Sequence, residues 1–406
     1  MKKPKIVLLS DHINGGAATL ANMLANDLAQ RAEYQIERWH FSPPAKAGLF
    51  TGQVVERSLA PSAKRPPLER LIKNVSRTLA AHWRARRHEL ALHQAIQTER
   101  PDLIHVHNIH SADLYHGSLL KIEPHIPLIW TIHDLWPIKG HACSWIEHTT
   151  GLRDRYEIGC RTRAVLLQAR DELLKQRRNL TLVAPSDYVR RVMRPLISRF
   201  NTREEMIPHV VRPEFLSAPT REAGRGGLGL SKDLFWLGVG ATWNNNRKGM
   251  DVLWRALSGI DCKGLGLAIW GQEPEAPSLP DLTLRTFGSV SSPAQMATLY
   301  AAMDLFICPT KGDTGPLTVL ESMSSGTPPL ASRIGGIPER VKHGSTGLLF
   351  PSQEPAALAR LIEEARAGQW PLQEMGMAAQ VYAHANHSPE IQGVQYSRLY
   401  QSILAP

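Results

Sequence analysis

Short apolar runs of strand length, separated by helical stretches, form one series that ends before Pro208 and a second that begins after it. The first series is Lys5–Leu9, Tyr34–His40, Leu103–His107, Leu128–His133 and Leu180–Ala184. The second is Phe235–Gly240, Leu265–Trp270, Leu282–Phe287, Leu305–Cys308 and Pro329–Ala331. Strand and helix patterns in alternation build a parallel sheet covered by helices, so the expected fold class is α/β with two doubly wound, Rossmann-like parallel-sheet domains. A chain of 406 residues also exceeds one ordinary core. The domains are placed at 1–210 and 211–385, with 386–406 a terminal helix packing back toward the first domain. Pro213–Gly229, rich in Pro, Gly and Arg, reads as a linker. Ligands of such folds bind outside the carboxyl ends of the strands, so a cleft shared by the two domains is the expected site.

Composition narrows the partners. A net charge of +10 calls for an anionic one: nucleic acid, an anionic membrane or a phosphorylated small molecule. No apolar stretch approaches the roughly 20 residues of a membrane-spanning helix. The apolar run Ile6–Leu9 after the basic start meets Ser10-Asp11-His12 and reads as a first strand, not an export signal. Four cysteines are too few for a disulfide framework, which makes the cytosol the expected compartment.

Polar residues gather where the strands stop. Gly15 and Gly16 turn the first strand into a helix, where backbone amides can approach a phosphate or sugar; the competing reading is a tight turn that needs positive φ. The strand ends His107-Asn108 and His133-Asp134 face the ligand crevice of such a fold. His133 is the stronger candidate for a sugar hydroxyl or for charge near the reacting carbon, against the alternative of a satisfied polar cap. His141, Cys143, His148 and Cys160 are close in sequence but match no paired zinc-ligand spacing, so an irregular acceptor-side loop is preferred and no metal is expected.

From Lys64 to Arg100 nine Lys/Arg stand against three Asp/Glu, with Leu68, Leu71, Ile72, Val75, Leu79 and Trp83 at helical spacing. Such a helix either faces the core with a solvated basic side or lies on an anionic membrane. Nucleic acid is not favoured, because no DNA-binding or stacking motif accompanies the charge.

The strongest signal lies in the second half. After the strand Leu237–Gly240 come Arg247 and Lys248 at a helix start, suited to neutralise a diphosphate. After Leu305–Cys308 comes a loop, Lys311-Gly312-Asp313-Thr314-Gly315-Pro316-Leu317-Thr318, that runs into a helix carrying Glu321. A loop carboxylate suits sugar hydroxyls, a helix carboxylate suits ribose, and loop amides suit phosphate. For either acid alone, compensation of the helix N-terminus is the plainer reading. A Gly-Gly-Ile-Pro-Glu turn follows at 335–339.

The run Asp313–Gly326 followed by Thr327-Pro328 resembles the signature of retaining glycosyltransferases of family four in the GT-B class. Gly15-Gly16-Ala17-Ala18, Asp102–His107, Thr131–Pro137 with its Asp-Leu-Trp-Pro, and Arg247-Lys248-Gly249 resemble the colanic-acid and exopolysaccharide branch. The resemblance implies that Glu321 binds the donor ribose and that Asp313 replaces the usual Glu near the transferred sugar. It implies that Arg247 and Lys248 hold the diphosphate, that His133 contacts the sugar and that Gly16 lies by the phosphates or acceptor. Gly15, Gly16, Thr314, Gly315, Pro316, Leu317 and Thr318 fall on the donor side; His107, Asn108 and Asp134 fall on the acceptor side. Three departures stand out: Asp313 is one methylene shorter than the usual Glu, Ala241 replaces the usual Arg, and Pro208-His209-Val210 replaces Pro-Asn-Gly.

The implied activity moves a hexosyl group from a nucleotide-sugar to a saccharide or lipid-linked saccharide, with retention, without metal or cofactor, in cell-surface polysaccharide synthesis. The place is the cytoplasm or the inner membrane face. The rivals are an epimerase or hydrolase of the same fold, and a non-catalytic nucleotide-sugar-binding assembly protein.

Overall fold

The computed structural model describes residues 3–45, 49–60, 77–140, 163–241, 246–271 and 277–405. His141, Cys143, His148, Cys160 and the first part of the basic stretch therefore lie outside the described residues. The chain forms two units, Met1–Pro208 with Pro389–Pro406, and His209–Ser388.

In the first unit the strands are β1 (Lys5–Ser10), β2 (Gln35–His40), β3 (Val54–Ser58), β4 (Leu103–Val106), β5 (Leu128–Thr131), β6 (Leu180–Ala184) and β7 (Arg203–Met206). They pair in the order β3-β2-β1-β4-β5-β6-β7, all parallel. In the second unit β8 (Phe235–Ala241), β9 (Leu265–Gly271), β10 (Thr283–Thr286), β11 (Leu305–Cys308), β12 (Pro329–Ser332) and β13 (Leu348–Phe350) pair in the order β10-β9-β8-β11-β12-β13, again all parallel. Two Rossmann-like parallel sheets are thus the observed fold class.

The central strand β1 holds a continuous apolar run because helices cover both faces: Ile6, Val7, Leu8 and Leu9 are all fully buried. Each such side chain contributes about 1.5–3 kcal/mol when removed from water. β3 and β7 escape the sequence pattern because they are edges, with polar sequences Val-Val-Glu-Arg-Ser and Arg-Glu-Glu-Met that keep one side wet. The three-residue β13 is too short to register.

One expectation needs correcting. Pro213–Gly229 is not a linker: it folds into the helices Pro213–Leu216 and Arg221–Leu228 inside the second unit. Thr220 caps the second helix by accepting from the Ala223 amide. Gly224 lets that helix close on its neighbour, since a Cβ there would lie 3.2 Å from the Thr298 carbonyl oxygen.

The helix Pro389–Leu404 belongs to the first unit and packs on the helix Gly16–Arg31. Gly393 allows this approach, because a Cβ would overlap the Asp27 carboxylate at 1.6 Å. Ser397 Oγ donates to Glu33, and Tyr34 Oη donates to the Ser397 carbonyl. In the described part of the basic stretch, the helix Arg77–Glu99 turns Ala81, Ala85, Leu92, Ala95 and Ile96 to the core and exposes Arg86 and Leu90. No helix among the described residues is long and apolar enough to cross a membrane.

Candidate active site

The second sheet reverses direction at β8, which lies between β9 and β11. Ligands of doubly wound folds bind at this kind of switch, outside the carboxyl ends of the two central strands. The loops after β8 and β11 are laced together there. The Lys311 amide donates to the Arg247 carbonyl at 2.7 Å, and Thr310 Oγ1 donates to the same oxygen at 3.1 Å. Gly249, at φ 73°, permits the approach, since a Cβ would sit 1.8 Å from the Pro309 carbonyl oxygen.

This lacing brings charges together. Arg247 Nη1 donates to Asp313 Oδ2 at 3.0 Å and to the Gly312 carbonyl at 3.0 Å, while Lys248 Nζ reaches Asp313 Oδ2 at 3.2 Å. The Gly315 amide donates to the other carboxylate oxygen at 3.2 Å. Burial pushes the Asp313 carboxyl up, but Lys248, Arg247 and the Gly315 amide overcome it and hold the group down at about 2. Asp313 is therefore an anion fixed between two cations. Lys311 pairs instead with Asp251 at 2.8 Å.

Glu321 lies one turn into the helix Leu317–Ser324 and accepts from the Tyr300 hydroxyl at 2.9 Å. Burial raises its carboxyl; that hydrogen bond and the charge of Arg212 oppose the rise. Thr314, Gly315 and Pro316 are buried, and Leu317 and Thr318 are half-buried at the helix start. The structure thus collects Arg247, Lys248 and Asp313 in one cluster, with Gly315 bonded to it.

Sequence reasoning missed Arg340. Its side chain is buried under the same loop: Nη1 donates to the Pro316 carbonyl at 3.3 Å, and Nη2 would touch a Gly315 Cβ at 2.7 Å. Among the described residues Nη2 has no hydrogen-bond acceptor. Burial lowers the guanidinium to about 10, opposed by the charges of Asp313 and Glu339, so it stays a cation. The only available signal was a charged residue directly after the Gly-Gly-Ile-Pro-Glu turn.

The first sheet reverses at β1, between β2 and β4. Gly15 begins the helix Gly16–Arg31 at φ 102°; a Cβ there would meet nothing within 4 Å, so the backbone angle, not space, asks for glycine. The loops after β1 and β4 join through the Asp11 amide, which donates to the Asn108 carbonyl at 2.6 Å. His107 Nδ1 and His133 Nε2 share a hydrogen bond of 2.7 Å, with rings stacked at 5.0 Å. Asn108 Nδ2 donates to Asp134 at 3.2 Å. Burial pushes the His133 imidazole down to about 3, so it is neutral at physiological pH. The other oxygen of Asp134 accepts from the Trp136 amide at 2.9 Å and caps the turn that follows.

Arg38 was also missed. Fully buried in β2, it donates to the carbonyls of Leu8, Trp39 and His12, to Ser10 Oγ and to Asn22 Oδ1, which staples the loop leading to Gly15. Among the described residues no group of three or more His, Cys, Asp or Glu is arranged to hold a metal ion.

Two doubly wound parallel sheets in one chain define the GT-B class of fold. Solved structures agree: sucrose-phosphate synthase from Thermosynechococcus elongatus is similar at a TM-score of 0.76 and 19% identity, over 99% of this chain and 100% of that one. Anabaena HepE, solved in complex with UDP-glucose, is similar at 0.66 and 16% identity, over 98% and 99%. Residues 14–215 match the model for Glycosyltransferase Family 4, and residues 234–366 match that for Glycosyl transferases group 1. The chain belongs to the glycosyltransferases of this family 4 and group 1 type. The D-inositol 3-phosphate glycosyltransferase of Gordonia bronchialis is 33% identical over 123 residues, covering 30% of this chain and 27% of that one. Two further enzymes of that kind are covered over 21% and 63% of their length, so the chain spans less than two-thirds of the curated relatives it matches.

Proposed function

We propose that this chain transfers a hexosyl group from a nucleotide-sugar to a saccharide or lipid-linked saccharide acceptor, with retention of anomeric configuration and without a metal ion. The convergence of Arg247 and Lys248 on one oxygen of Asp313, at the switch point of the second sheet, carries this reading. Arg247, Lys248 and Arg340, set against Asp313 with Glu339 beside Arg340, leave a positive cluster suited to a diphosphate. Glu321, held by Tyr300, takes the ribose hydroxyls. Thr314–Thr318 present backbone to the phosphates or sugar.

In the transfer step the bond from anomeric carbon to phosphate oxygen breaks and the acceptor oxygen bonds to that carbon from the same face. The acceptor proton passes to the departing diphosphate. Fixed cations aimed at the developing charge supply a large share of the rate enhancement in such steps. Two protein cations stand where a divalent ion would otherwise neutralise the diphosphate. Neutral His133, with Asn108 and Asp134, serves sugar hydroxyls as a hydrogen-bonding group, not as an acid. Gly15 and Gly16 supply backbone amides to the donor. The solvated basic side of the helix Arg77–Glu99 suits an anionic membrane surface and supports a reading in which the activity lies in the cytoplasm or at its membrane face. The colanic-acid-like motifs favour a cell-surface polysaccharide product.

A thermal-shift panel of UDP-glucose, other UDP-hexoses, GDP-mannose and ADP-glucose tests the donor class. A ligand at about 100 times its dissociation constant stabilises by about 2.7 kcal/mol. The expected result is a shift with one nucleotide family and transfer to a lipid or saccharide extract that persists in EDTA. No shift with any donor overturns the reading, and loss of transfer in EDTA overturns its metal independence.

A further inference from the structure

Behind the His107–His133 pair lies a second polar pair with no place in donor or acceptor binding. His105 and Thr131 stand two residues before His107 and His133, near the ends of neighbouring strands β4 and β5. His105 Nε2 and Thr131 Oγ1 lie 2.7 Å apart. Two tyrosines on the terminal helix Pro389–Leu404 close the arrangement: Tyr400 Oη is 2.7 Å from His105 Nδ1, and Tyr396 Oη is 2.7 Å from Thr131 Oγ1. All four side chains are buried.

Burial keeps His105 well below its usual range, so its ring is neutral, with one nitrogen donating and the other accepting. Tyr400 and Thr131 then take opposite roles toward the His105 ring, one donating and the other accepting, and Tyr396 holds the Thr131 hydroxyl from its far side. The His105 ring contacts His107 at 4.3 Å between centroids, and His107 is hydrogen-bonded to His133. An apolar set of equal volume would fill the same space without the cost of burying four polar groups.

We propose that Tyr396 and Tyr400 are positioning residues: acting from the terminal helix through His105 and Thr131, they set the orientation of His107 and, through its hydrogen bond, of His133. The inference deepens the proposed function, since it rests on His133 as a site residue. It also gives the terminal helix a role in tuning the site beyond covering the sheet.

The test uses the full chain labelled with 15N in its histidine rings, with resonances assigned by single histidine substitutions. Tyr396→Phe and Tyr400→Phe each keep the ring and delete one hydroxyl. Tyr34→Phe is the control: it removes a hydrogen bond to Ser397 on the same helix without touching His105. The expected result is that the ring resonances of His107 and His133 shift together with those of His105 in both test variants and stay in place in the control. Thermal unfolding confirms that all three are folded. A shift confined to His105, or an equal shift in Tyr34→Phe, overturns the proposal and leaves the network a structural anchor. Binding plays no part in these spectra, so failure to find a donor would count against the proposed function and not against this inference.

Discussion

Lys248 Nζ donates to Oδ2 of Asp313 across 3.2 Å, although 65 residues separate the two in sequence. The contact exists because β8 and β11 are neighbours at the centre of the second sheet, and each releases its loop at the same edge. Arg247 meets the same oxygen, so the carboxylate is held by two cations and orders both. The pairing aligns the positive groups proposed for a diphosphate before any ligand arrives, which lowers the reorganisation needed at the transition state.

Asp313 predicts an acid limit to stability. Its folded carboxyl titrates at about 2, below the unfolded value near 3.8, so its contribution is complete above about pH 4 and disappears as pH falls toward 2. The amount is about 2 kcal/mol. Urea unfolding between pH 2 and 5 should show this slope in the wild type and a flatter profile in Asp313→Asn.

His133 should stay neutral across the working range. Its imidazole is pushed down to about 3 by burial, against about 6.5 when unfolded, so it destabilises the native state progressively as pH falls below 6.5. Ring 15N titration should show no protonation of His133 between pH 5 and 8. A midpoint near 6.5 would remove the neutral hydrogen-bonding role assigned to it.

Gly335 carries a sharper prediction. At φ 59°, a Cβ on this residue would lie 1.8 Å from the Asp313 carbonyl oxygen. Gly335→Ala should therefore lose about 2 kcal/mol or more and displace the Asp313 loop. Denaturant unfolding reads the first effect, and weakened nucleoside diphosphate binding reads the second.

Much of the fold was legible because central parallel strands are continuous apolar runs, and Leu180–Ala184 and Leu305–Cys308 have the same bounds in sequence and structure. The two edge strands of the first sheet were not, since Arg203–Met206 satisfies backbone pairing with side chains that resemble any surface loop, whereas the edge strand β10 showed as Leu282–Phe287. Pro213–Gly229 misled because Pro213 starts one helix, Gly224 allows close packing and Gly229 ends the second helix, a composition that by itself reads as a break. In the site, Arg247, Lys248 and Asp313 announced themselves by charge at strand ends. Arg340 and Arg38 did not, because a buried arginine is recognised only by what encloses it: the loop at Gly315 in one case, the carbonyls of Leu8, Trp39 and His12 in the other.

The measurement that bears most directly on the central claim is calorimetric binding of UDP, GDP and ADP to the wild type and to Lys248→Ala. A charge-assisted hydrogen bond to phosphate is worth about 1.5–3 kcal/mol. The wild type should bind one of the three, and the variant should bind it roughly 10-fold to 100-fold more weakly with its melting temperature little changed. Equal affinity in the two proteins, or no binding by the wild type, would contradict the assignment of Arg247 and Lys248 to a donor diphosphate.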